Sequence, residues 1–265
     1  MTTKMPRLPV DAHVHIYKAF DPVRCLDAAA RQMSAEWGNA RTGILVVLRG
    51  GDCLSIEDLP GRLGNWSIAK TAESGSRIAT RSDGSRLVLI DGRQLVTAER
   101  VEVLAIGPIE GPSDGLPLTD MLSALRSENA VSVLPWGVGK WSGKRLAIVE
   151  RLIHDQPEAN DLFLADSGVR PAAMPRPPIL SDAEAKGWRV LAGTDPLPLG
   201  GEEDKPGRFG FMLPVTLGTE RPLAALRATL LALGQSPSTY GHLESLPRAV
   251  RRQLSMQWRK RFGSS

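Results

Sequence analysis

The strongest constraint on the fold is a rhythm: short apolar runs alternate with amphipathic helical stretches along most of the chain. Thr42 to Leu48, TGILVVL, is continuous and apolar over the length of a strand buried on both faces. Further strand-like runs cover residues 8–17, 101–107, 130–135, 162–165 and 188–193, and 209–213 supplies a seventh. Helical patterns lie between them at 22–37, 117–128, 143–156 and 221–233. Asp21 is placed to cap the first of these, with Pro22 at its first helical position. Parallel neighbours need a long crossover, and a helix is the usual one, so this order predicts a largely parallel sheet. Residues 61–102 break the rhythm with turn pairs such as Asp83-Gly84 and Asp91-Gly92, and read as a small antiparallel insertion.

Where the polar residues fall decides between an open sheet and a barrel. His13 and His15, Glu110, the stretch from Trp136 to Lys140, Asp166 and Asp195 each stand at or just beyond the C-terminal end of an expected strand. In a closed barrel those ends meet at one mouth, where catalytic groups collect. No GxGxxG follows the first strand and no Walker A motif occurs, so nucleotide-binding doubly wound sheets lose their main support. The expected fold is α/β: an incomplete, TIM-like barrel of seven strands over residues 1–245, carrying the 61–102 insertion.

The sharpest chemical signal is Asp11-Ala-His13-Val-His15. Residues two apart on a strand face the same side, so both imidazoles project together and are placed to hold one divalent ion through neutral ring nitrogens. Leu191-Ala-Gly-Thr-Asp195-Pro196 is the second. A strand ends in a carboxylate that can ligate a metal or act as base toward its water. The loop from Trp136 to Arg145 gathers glycines, Lys140, Lys144 and Arg145 before a helix, a composition that suits an anion. Asp166 could position the water or hold Arg170, which could in turn meet an anionic substrate.

VDAHVHIY and VLAGTDPLP resemble the opening HxH strand and the closing Asp strand of the amidohydrolase superfamily. The polymerase-and-histidinol-phosphatase (PHP) family opens similarly and places a glutamate after an early strand, a position that Glu110 matches. The resemblance implies a metal-dependent hydrolase with His13, His15, Asp195 and Glu110 around Zn, Mn or Fe, one ion rather than two. The residues themselves add Asp166 and Lys140 to Asp195 as catalytic candidates, with Trp136, Lys140, Lys144, Arg145 and Arg170 toward a small anionic substrate; the cations and glycines gathered at the mouth favour a phosphoester over an amide. Both families usually bring further histidines from middle strands. Here His154 falls within a helix and His242 within a late loop, which leaves a catalytically silent binding barrel as the alternative.

The net charge of +4 invites a nucleic-acid partner. From Leu246 onward, however, six cations and no acid occur, so the body carries −2 and the basicity belongs to the tail. Leu246, Val250, Leu254, Trp258 and Phe262 recur every four residues, giving an amphipathic C-terminal helix over 246–265 that packs on the barrel or touches an anionic membrane surface. No nucleic-acid partner is expected on this distribution. Two distant cysteines, no leader-like segment and no membrane-length apolar run point to a cytoplasmic protein.

Overall fold

A computed structural model describes residues 6–155, 161–249 and 251. Its centre is one sheet curled into a nearly closed barrel. The wall begins with β1 (Arg7–Val14), β2 (Thr42–Arg49) and β6 (Arg86–Val96), which lie side by side and parallel. It continues through β7 (Glu102–Ile106) to β8 (Val131–Pro135), β9 (Leu162–Ser167) and β10 (Val190–Gly193). On the other side of β1 come β11 (Phe209–Pro214) and β12 (Thr239–Gly241). That path has nine strands rather than the expected seven.

Alternation along these strands builds two layers. Ile44, Val46 and Leu48 of β2 point into the barrel with Val88 and Ile90 of β6, Leu104 of β7, Val133 of β8 and Phe163 of β9. Leu45 and Val47 point outward and pack with Leu26, Ala29 and Met33 of α1 (Pro22–Met33). Asp21 accepts the Val23 N–H at 2.9 Å and caps α1, as its spacing predicts. The helix stops at Met33, short of the expected Trp37. The remaining wall is covered by α2 (Leu118–Ser127), α3 (Lys144–Asp155) and α4 (Pro178–Ala185), whose Met121, Val149 and Leu180 are fully buried. Leu226 and Leu230 of α5 (Pro222–Leu231) join the inner cluster instead.

Two departures from the expected barrel matter for the site. First, β7 runs antiparallel to both neighbours. The connection from β6 is too short for a crossover, so the chain turns back at residues 97–101 and β7 points away from the mouth. Second, the antiparallel insertion is smaller than 61–102. It comprises β3 (Arg62–Leu63), β4 (Trp66–Lys70) and β5 (Ser76–Arg81), while β6 is an unbroken eleven-residue strand of the wall. Asp91-Gly92 makes no turn there. Gly92 is needed for closeness, since a Cβ on it would lie 2.7 Å from the Ala105 carbonyl oxygen of β7.

The wall closes by a wedge. β11 pairs with the first half of β1, from Arg7 to Val10. Beyond it the end of β10 meets β1 directly. The Asp195 N–H donates to the His13 carbonyl at 2.8 Å, and a Cβ on Gly193 would lie 2.6 Å from the His13 nitrogen, so only glycine fits there. Asp11 fastens this seam from within. Its buried carboxylate accepts the Thr194 N–H at 2.8 Å, the Thr194 hydroxyl at 2.5 Å, the Gly207 N–H at 2.8 Å and the His13 N–H at 3.2 Å. Burial pushes the Asp11 carboxyl up to about 6, with those hydrogen bonds pulling the other way.

The polar, glycine-rich stretch 200–207 is tied down. Glu202 is buried, accepts the Leu197 N–H at 3.1 Å and pairs with Lys205, which also meets buried Glu244 at 2.6 Å. Of the C-terminal helix, residues 246–249 are helical; the remainder of 246–265 lies outside the described residues apart from Arg251. Among the described residues no helix is long and apolar enough to cross a membrane.

Candidate metal centre

The two histidines and the closing aspartate converge at the seam. A bulge between Asp11 and Val14 shifts the β1 register, and His13 within it and His15 just past it bring their rings together. Their Nε2 atoms are 3.0 Å apart, and Asp195 Oδ1 lies 3.3 Å from His13 Nε2 and 4.0 Å from His15 Nε2. One ligand atom from each residue fits within 4.8 Å of the others, and all three residues are buried. Asp195 stands in the left-handed region at φ 54, which aspartate tolerates better than most residues. That turn aims its carboxylate back across the mouth.

The electrostatics suit a cation. Burial pushes His13 down to about 3, outweighing the opposite pull of Asp195, and lowers His15 for the same reason. Both rings are therefore neutral at pH 7, the form that donates a lone pair. His15 Nδ1 lies 3.2 Å from the Leu48 carbonyl, and with the ring proton on Nδ1 toward that acceptor, Nε2 carries the lone pair that a metal would use. Burial alone would raise Asp195, but His13, Lys140 and His15 outweigh it and hold the carboxyl well below its usual range. An anionic oxygen and two neutral imidazole nitrogens form a donor set for a divalent transition metal.

The other expected site residues divide. Lys140 reaches the centre: its ammonium lies 3.4 Å from Asp195 Oδ2 and 2.7 Å from Glu102 Oε2. Burial opposes that charge, yet the two carboxylates outweigh it and raise the lysine above its ordinary value. Asp166 faces the other way along β9, because Ala165 belongs to the inner cluster and the strand alternates. It holds Arg170 through two hydrogen bonds of 3.0 and 2.7 Å, and Arg170 donates a third to the Met174 carbonyl at 2.8 Å. This buried pair is satisfied internally, and of the two roles open to Asp166 the structure shows the second. Trp136 packs on the outer cluster. Arg145 donates to the Gly139 carbonyl at 2.8 Å and shapes its own loop, and Lys144 is exposed at the start of α3.

Glu110 is not brought to the mouth. It is exposed, and its N–H donates at 2.7 Å to Glu128, beside the end of α2 that leads into β8. The reversal of β7 is the cause. A residue after its C-terminal end belongs to the far pole, whereas Glu102 at its start belongs to the mouth. Sequence reasoning missed Glu102 for that reason. It also missed Gln94, whose Oε1 is 3.0 Å from His15 Nε2, and Ser167, whose hydroxyl donates to Asp195 Oδ2 at 3.2 Å. Each lies two residues beyond an inner-facing position, so the period of two carried the signal once strand direction was known. His154 and His242 are both exposed and stand apart from the cluster.

No protein-family model matches the chain, and no curated protein matches it in sequence; the amidohydrolase resemblance gains no support of that kind. Solved structures do match in fold. PsfC from Pseudomonas syringae PB-5123 aligns over 96% of this chain and 98% of its own, at 16% identity and a TM-score of 0.56. The lesion-specific endonuclease PfuEndoQ from Pyrococcus furiosus aligns over 86% of this chain and 56% of its own, at 14% identity and a TM-score of 0.50. These likenesses establish the fold. They also correct the expectation of no nucleic-acid partner: an endonuclease is built on this barrel, and a charge count that isolates the tail says nothing about what the mouth admits.

Proposed function

We propose that the protein is a metal-dependent hydrolase of phosphoesters, with nucleic-acid phosphodiesters within its scope. The observation that carries this is the buried convergence of His13, His15 and Asp195 on one point. The PHP resemblance of the opening strand and the endonuclease among the fold neighbours support it. His13, His15 and Asp195 would hold a divalent ion, which would supply Lewis acidity toward water and an ester oxygen. The chain supplies the rest. His15 is oriented by Leu48, and Asp195 by its backbone bond to His13 and by the Ser167 hydroxyl. Lys140 sets a fixed positive charge beside the ligands, and Lys144 and Arg145, the first residues of α3 just past that loop, are the further cations for an anionic substrate. Asp195 would serve as ligand through Oδ1, while Ser167 and Lys140 hold its other oxygen.

The rival is a catalytically silent barrel that binds a partner. The small donor set favours it, since the described residues bring no third histidine to the mouth. The two separate in one experiment on purified protein: metal analysis, then hydrolysis of bis(4-nitrophenyl) phosphate and of abasic-site DNA. Bound metal with turnover that chelator removes and His13→Ala abolishes supports the hydrolase. Turnover that persists in chelator, or bound metal with no turnover on either substrate, sinks it.

A further inference from the structure

The mouth holds an arrangement that the three-donor cluster does not use up. Asp195 turns Oδ1 to the imidazoles and Oδ2 to the Lys140 ammonium and the Ser167 hydroxyl. Beyond the ammonium stands a second carboxylate, Glu102, 2.7 Å away. A carboxylate that offers one oxygen to each of two positive positions, with another acid behind the second, is the donor pattern of a two-cation centre. Here the second cation belongs to the chain.

The lysine is built into that place. Its N–H donates to the Gly137 carbonyl at 2.9 Å, closing a tight turn. Its stem lies over Gly137, where a Cβ would come within 2.7 Å of Lys140 Cδ. Glu102 arrives from the opposite side only because β7 runs backwards, with Glu102 on the inner face it shares with Leu104 and Ile106. Two independent features, a side-chain-free turn and a reversed strand, thus converge on the ammonium.

We infer that the Lys140 ammonium takes the place of a second divalent ion, so that the centre binds one metal and keeps a permanent positive charge next to it. This rests on the metal-centre reading of His13, His15 and Asp195. It goes further in assigning Glu102 and the outer oxygen of Asp195 to a latent second site, which opens when the ammonium is removed.

The test is a Mn²⁺ titration of the full chain followed by calorimetry, with native mass spectrometry counting the ions. Wild type is expected to take one Mn²⁺, and Lys140→Ala two. Lys140→Arg keeps the charge and should stay at one. Lys140→Ala combined with Glu102→Gln should return to one, because the latent site loses an anionic donor. Lys140→Met serves in place of the alanine variant if circular dichroism shows that the latter fails to fold. Two ions in wild type overturn the inference, as does a single ion in the folded lysine-free variants. No ion in wild type removes the metal centre itself and this inference with it, whereas one ion in both wild type and Lys140→Ala removes only the role of the lysine.

Discussion

Asp195 and Glu110 look alike in sequence, each an acid shortly after an apolar strand. One stands 3.3 Å from an imidazole and the other is exposed at the far pole. The difference is strand direction. β10 runs with β1 and delivers its last residue to the mouth, while β7 runs against its neighbours and delivers its first, Glu102. An acid at a strand end is informative only once the direction of that strand is known, and direction is set by the length of the preceding connection.

Exchanging the two acids for alanine breaks the comparison most sharply. Asp195→Ala should cost more than the roughly 100-fold in metal affinity that loss of an outer-shell partner can cost. Glu110→Ala should leave affinity unchanged, as read by calorimetry on both variants. A comparable loss in both would return Glu110 to the site.

The seam offers the next largest effect. Asp11→Ala strands buried donors of Thr194, Gly207 and His13, each costing about 1–3 kcal/mol when left unmet. A loss of about 3 kcal/mol or more in urea denaturation is expected. Removing the Thr194 hydroxyl alone, in Thr194→Val, should cost less than half of that. A loss under about 1 kcal/mol for Asp11→Ala would show that the seam is held by something else.

The outer partners rank third. Gln94→Leu removes the amide beside His15 and should weaken metal binding by about 10- to 100-fold while leaving the fold intact. Equal affinity in this variant would place Gln94 outside the centre.

Acidification gives the smallest and most graded effect. The folded His13 sits near 3 against about 6.5 in an unfolded chain, so the unfolded form takes up the proton first. This contribution is complete above pH 6.5 and is lost as the pH falls from there toward 3. The Asp11 carboxyl, raised to about 6, works in the opposite direction, so the His13 share is read by difference: in metal-free protein, His13→Ala should lose less urea stability between pH 7.5 and pH 5 than wild type does. An unchanged slope in the variant would mean that His13 is not held neutral by burial.

Much of this was legible in the chain itself. The His13–His15 pair shows because a strand has a period of two, and Asp195 shows because Gly-Thr-Asp-Pro ends an apolar run. The parallel strands show as near-continuous apolar sequence. What stayed hidden depends on neighbours distant in sequence. Asp91-Gly92 resembles a turn, yet β2 on one side and β7 on the other hold it straight. Asp166 resembles a site acid, yet Arg170 four residues on claims it from the outer face. The wedge made by β11 is invisible locally, since antiparallel pairing with β1 spans about 200 residues of chain.

The backbone bond from Asp195 to His13 has a thermodynamic consequence. The residues that would grip an ion also button the wall, so occupancy and closure are linked quantities. An ion bound only by the closed form would stabilise it by RT ln(1 + [ion]/Kd), about 2.7 kcal/mol at a concentration 100 times Kd. Amide exchange at Asp195 and Thr194 would slow in proportion, making the seam itself a gauge of how full the centre is.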